Sequence, residues 1–213
     1  MRYRPADRQL AQLALDAWQR AAGSALQLTP SPEASARVRL YWAGPQSGQY
    51  GEMRSLQVNG HVGAAVYIRP DTTSLGPDIH ALATSDPLFR DAVIYLTCVH
   101  ELGHAFGLEH TADFRDIMYS FQYGGNFVEY FSRYRRQLKS RDDIAVISGM
   151  SEVDIARVRT LYPAARYPRA LFCPYLPESR TRADRSCLVA HCLPARGYAS
   201  DRAVRTVGRL VRD

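Results

Sequence analysis

The stretch from Asp86 to His110 leaves the chain the least freedom. Asp86-Pro87 supplies an N-cap followed by proline at the first helical position, and Gly107 supplies a stop, so the pattern predicts a helix from about Leu88 to Phe106. Within it His100 and His104 are four residues apart and project from the same side of consecutive turns. Two imidazoles placed in this way reach one metal ion. The fold must therefore bury the long apolar flank of this helix and still leave the side of its last turns open to a ligand.

Zinc suits such a pair, because imidazole nitrogen binds it at about 2.0–2.1 Å and a catalytic site uses three protein ligands with one position left for water. His110 is the candidate third ligand. It would point away if the helix continued, but Gly107 can take a positive φ and let the chain turn back under the metal. Glu101 is rotated by about 100° from His100 around the helix, too far to be an equal ligand and close enough to face a metal-activated water. It is the candidate general base, taking a proton from that water and returning it to a leaving amine. With this chain's residue frequencies, two histidines enclosing a glutamate at this spacing arise by chance in roughly 1 of 200 chains, and adding Gly107 and His110 lowers that to the order of 1 in 100,000. Incidental histidines on a core helix are thereby disfavoured. His61 and His80 earn no such credit and read as surface residues.

Around this helix the pattern predicts a first helix from Asp7 to Ala22, stopped by Gly23, with Leu10, Leu13, Ala14, Ala17, Trp18 and Ala21 on one stripe. Strands are expected over Arg37 to Trp42, with Val38, Leu40 and Trp42 facing in, over Met53 to Val58 before a turn at Asn59-Gly60, and over Val62 to Arg69. Residues 71–84 read as loop, and Phe121 to Gly125 as another. A helix from about Asn126 to Lys139 follows, with Arg133, Arg135, Arg136, Lys139 and Arg141 read as its solvated side. Ser151 and Asp154 form a capping box for a last helix whose apolar face is read as Val153, Ala156, Val158 and Leu161.

The run His100-Glu101-Leu102-Gly103-His104-Ala105-Phe106-Gly107-Leu108-Glu109-His110 resembles the metzincin pattern H-E-x-x-H-x-x-G-x-x-H. Asp116-Ile117-Met118-Tyr119 is similar to that family's Met-turn, and the eight-residue step from His110 to Met118 resembles the matrixin branch. The segment Ser151 to Tyr162 is similar to the closing helix of matrixin catalytic domains. The resemblance implies an α/β metzincin domain over residues 1–163, with a twisted mixed sheet beside the first helix and the active-site helix. It also implies one catalytic Zn2+ on His100, His104 and His110, Glu101 as base, and Met118 as an apolar floor. The implied activity is hydrolysis of internal bonds in peptide or protein substrates, with Val62 to Arg69 as the edge strand that receives them. An exported, extracellular address is implied as well. Ser120 and Gln122 depart from the family's proline and tyrosine after the Met-Tyr pair, and residues 120–150 run longer than the matching segment. The arginine-bearing helix is therefore read as an insertion beside the substrate groove. Neither a cysteine-switch propeptide nor the family's structural zinc and calcium sites find a match.

Residues 164–213 form a separate tail. The body, residues 1–163, carries 17 Lys+Arg against 17 Asp+Glu, whereas the tail carries 10 against 4, so the whole net charge of +6 lies there. Such a tail reads first as an arginine-rich solvated surface and second as a contact for an anionic partner. Cys173, Cys187 and Cys192 permit one local disulfide with one thiol over, or, with His191, a second zinc site; lacking paired short spacings, they favour the disulfide. Cys98 reads as a small core residue. No apolar run approaches the roughly eighteen residues of a membrane span, and Met1 to Leu10 lacks the apolar core of an export signal. From another function class, the zinc-bearing fold with its basic tail is also compatible with a polyanion-binding module that cleaves nothing.

Overall fold

The computed structural model describes residues 3–44 and 50–163, and the expectations for the tail lie outside the described residues. Helix α1 (Asp7–Ala22) buries Leu10, Ala14, Ala17, Trp18 and Ala21 along the expected stripe and ends at Gly23. Strands β1 (Val38–Trp42), β2 (Gly51–Val58) and β3 (His61–Ile68) follow, with the turn at Asn59-Gly60 joining the last two. β1 pairs in parallel and β2 in antiparallel fashion with β3, giving a mixed sheet of order β1-β3-β2. Val38, Leu40 and Trp42 pack against the core as the alternation predicts.

The strand over 62–69 is thus central and not an edge. Both of its backbone flanks are spent on neighbours, and the strands left with an open flank are β1 and β2. Residues 71–84 are likewise not a loop: a 3₁₀ turn spans Thr72–Leu75 and helix α2 spans Pro77–Ser85. Gly76-Pro77 opens that helix with proline in its first turn, and Ile79 and Ala83, four apart, bury its inner side.

Helix α3 (Pro87–Ala105) lies between α1 and strands β2 and β3, and is buried along most of its circumference. Its N-terminus is held by the Asp86 carboxylate, which accepts from the N–H groups of Leu88 and Phe89 at 3.0 and 3.1 Å. Two contacts lock it to α1. Trp18 donates from Nε1 to the Val99 carbonyl at 2.8 Å. Arg90, fully buried, forms a two-pronged pair with Asp7 at 2.8 and 2.9 Å.

Helix α4 (Phe127–Arg135), capped by the Asn126 side chain, packs on α3 and α2 and stops four residues short of the expected end. Its arginines are ties more than a wet face. Arg133 donates to the carbonyls of Phe114 and Arg115, Arg135 pairs with Asp86 at 2.7 Å, and Arg141, beyond the helix, pairs with Asp91 at 2.7 Å. Arg136 alone of these faces mostly water, beside Glu129.

Helix α5 (Glu152–Leu161) begins at the expected Ser151–Asp154 capping box. Its inner face differs from the apolar pattern: Val153 and Leu161 are 51% and 50% exposed, whereas Asp154 and Val158 are completely buried. A carboxylate takes an inward position because backbone donors from residues 117 and 118 await it there.

Removing one partner of a buried ion pair strands the other charge, so Asp7→Ala is expected to destabilise the domain by about 3–5 kcal/mol. Urea unfolding at neutral pH measures this, and the double variant Asp7→Leu/Arg90→Met should recover much of the loss.

Candidate metal centre

The last turn of α3 is built to stop and reverse. Phe106 caps it, Gly107 sits at φ 92°, and two bonds close the end: Gly107 N–H to the His104 carbonyl and Leu108 N–H to the Gly103 carbonyl, both 2.9 Å. This pair of bonds is the Schellman motif, which needs the left-handed residue that glycine supplies at least cost. The reversal carries His110 back beside the two helix histidines. Its Nε2 lies 3.3 Å from Nε2 of His100 and 3.1 Å from Nε2 of His104.

Two backbone carbonyls decide the protonation of this cluster. His100 Nδ1 lies 2.7 Å from the Ile117 carbonyl, and His104 Nδ1 lies 2.8 Å from the Leu108 carbonyl. A carbonyl only accepts, so both Nδ1 atoms carry the proton and both Nε2 atoms present lone pairs. Burial, reinforced by neighbouring imidazoles, pushes His100 down to about 3 and His110 down to about 4, and burial lowers His104 too. The rings are therefore neutral near pH 7. His110 can offer its Nε2 proton to only one neighbour, so a lone pair always remains facing the cluster without a donor. A cation resolves this conflict. Nitrogens about 2.0–2.1 Å from a tetrahedral ion sit roughly 3.3 Å apart, the spacing found here. Among the described residues, this trio is the group of His, Cys, Asp and Glu side chains that converges on a possible metal position. His61 is exposed, and His80 lies on α2 with its Nδ1 3.2 Å from the Thr72 hydroxyl.

The segment after His110 runs alongside the one containing Met118. Thr111 N–H donates to the Met118 carbonyl at 2.8 Å, and Ser120 N–H to the Thr111 carbonyl at 3.0 Å. Met118 is completely buried against α3. A Cβ placed on Gly103 would overlap its Sδ and would stand 3.0 Å from the Trp18 ring, so glycine at this helical position admits the methionine. The Asp154 carboxylate accepts from Ile117 N–H at 2.8 Å and Met118 N–H at 3.5 Å, while Ser151 donates to Asp116 at 2.7 Å. The chain of support thus runs from α5 through Ile117 to His100.

Glu101 is only 8% exposed, enclosed between α3 and the start of β2. A Cβ on Gly51 would come within 2.6 Å of its Oε1, so that glycine allows the strand to lie against the carboxylate. Burial, aided by the Glu52 charge and opposed by the Met53 N–H, pushes the Glu101 carboxyl up to about 8.

A family model described as Matrixin matches residues 4–150. The chain belongs to the matrixin family. The chain matches none of the curated proteins and none of the solved structures compared with it. Membership agrees with the mixed sheet, the buried helix and the histidine trio, and matrixins are zinc metallopeptidases that typically act outside the cell. No helix among the described residues is long and apolar enough to cross a membrane. The match to the matrixin model ends at Met150, just before the cap of α5.

Of the residues singled out in the sequence, the structure brings His100, His104 and His110 together, buries Met118 against α3 and encloses the Glu101 carboxylate between α3 and the start of β2. Gly51, Gly103 and the second role of Asp154 were not singled out there. Gly103 alone left a visible trace, as a glycine inside a helix that otherwise avoids it.

Replacing Gly103 by alanine should raise helix propensity by about 0.8–1.0 kcal/mol, yet overpacking against Met118 and Trp18 costs about 1–3 kcal/mol. Gly103→Ala is therefore expected to be less stable than the parent in chemical denaturation. Unchanged or higher stability would contradict the close packing of Met118.

Proposed function

We propose that this matrixin is an exported zinc endopeptidase in which His100, His104 and His110 hold the metal and Glu101 is the general base. One observation carries this: three imidazole nitrogens converge within 4.8 Å of one another, and the carbonyls of Ile117 and Leu108 leave them short of protons. A zinc ion held by these three rings would supply Lewis acidity for the attack of water on a scissile carbonyl.

The chain's own residues do the rest. The two carbonyls fix ring orientation and make the ligand nitrogens better donors. Glu101 takes the proton of the attacking water and delivers it to the departing amine. Burial raises this carboxyl to about 8, and a divalent ion on the neighbouring histidines would draw it back down to the ionised form that a base needs. Met118 forms the apolar floor expected of a Met-turn, excluding water from beneath the rings.

The extended substrate lies along β2. Arg69 N–H donates to the Tyr50 carbonyl, so the residues of β2 facing β3 through hydrogen bonds are Glu52, Arg54, Leu56 and Val58. Gly51, Met53, Ser55 and Gln57 alternate with them and turn their backbone groups to the open flank, where the Met53 N–H meets the Glu101 carboxyl. That flank begins beside Glu101, so a peptide paired there has a carbonyl near the metal position.

Zinc content and peptide-library cleavage measured on one purified sample test the proposal. The expected result is about one zinc per chain, cleavage of internal bonds, loss of cleavage on chelation and its return with added zinc. Glu101→Gln is expected to retain zinc while cleaving at least about 100-fold more slowly. Stoichiometric zinc without cleavage of any unfolded protein would sink the enzyme assignment and favour a binding module.

A further inference from the structure

We propose that Tyr130, on α4, is a positioning residue for the metal centre, holding His100 in place through the Ile117 carbonyl that the two side chains share. This inference rests on the proposed metal site. The Ile117 carbonyl takes the His100 Nδ1 proton at 2.7 Å, and the Tyr130 hydroxyl shares its one proton between the same oxygen at 3.2 Å and the Asp116 carbonyl at 3.1 Å. A carbonyl oxygen has two lone pairs, and here both are used. With Asp154 on the N–H side of the same residue, Ile117 is gripped at both polar ends.

Tyr130 is itself immobilised. It is 4% exposed and packs edge-on against Phe114, Phe121 and Phe131, with ring centroids 5.2 to 5.5 Å away. The Arg133 guanidinium lies over its ring at 5.2 Å and over Phe114 at 5.5 Å, while donating to the Phe114 carbonyl at 2.7 Å. One helix therefore fixes the 114–117 segment from its carbonyl side. Ligand histidines depend on the group that accepts their second ring proton, and disturbing such a group weakens metal binding. Tyr130 acts one bond further out, by keeping that acceptor aimed.

The test compares Tyr130→Phe with Tyr134→Phe in the full chain. Both remove one buried hydroxyl from α4 and keep the ring. Tyr134, 2% exposed, donates to the Ile147 carbonyl at 2.6 Å, well away from the histidines in sequence and contact. Zinc affinity is measured by competition with a coloured chelator, and the visible spectrum of the cobalt-substituted proteins reports ligand geometry. The expected result is zinc affinity about tenfold weaker and shifted cobalt bands for Tyr130→Phe. Tyr134→Phe should lower only the denaturation midpoint. Parent-like affinity and spectrum in Tyr130→Phe, or equal shifts in both variants, would overturn the positioning role. A parent protein that binds neither ion would instead overturn the proposed function, and this inference with it.

Discussion

Three lone pairs aimed at one point repel each other, and a protein keeps them there only if something else holds the rings. In this domain the holding groups are two backbone carbonyls, those of Ile117 and Leu108, each taking the proton from the far nitrogen of a helix histidine. Leu108 belongs to the reversal that ends α3, so the bond that stops the helix and the bond that orients His104 come from the same turn. Without that reversal His110 could not return, and without the returned strand neither carbonyl would be in reach.

Helix α3 can present this cluster because its other contacts leave it no freedom. Trp18 bonds its backbone, Arg90 draws it to Asp7, and Gly103 lets Met118 lie against it. His100 and His104 sit at one end of an element whose remaining surface is packed on α1, β2 and β3. Rigid placement is what a metal site needs, since ligand nitrogens displaced by a few tenths of an ångström lose good coordination geometry.

The elements written in regular periodicity were legible in the sequence: α1, α3 and the alternating strands follow from apolar spacing and from caps at Asp86 and Ser151. The histidine trio was legible because its chemistry demands fixed spacing. What stayed hidden depended on contacts between distant segments. Strand order decides which strand is an edge, and nothing within residues 51–69 states that β3 has neighbours on both flanks. Gly76-Pro77 carries the marks of a turn and of a helix start alike, and burial of Ile79 and Ala83 selects the helix. The inner face of α5 was misread because a carboxylate is normally a sign of solvent. Asp154 is buried only since the backbone at 117 and 118 lies across from it. Likewise Arg133 and Arg135 look like surface charge until their carbonyl and carboxylate partners are placed.

The reach of Asp154 has a consequence for the order in which the protein matures. Its carboxylate closes around the turn that steadies His100, yet it is encoded more than fifty residues later in the chain. A nascent polypeptide leaves the ribosome from its N-terminus, so the histidine helix emerges first and waits for its brace. Until α5 is released, the 116–118 segment lacks the acceptor for its backbone donors. The turn beneath His100 is therefore completed by one of the last parts of the folded body to be made, so its closure waits on synthesis of nearly all of residues 3–163.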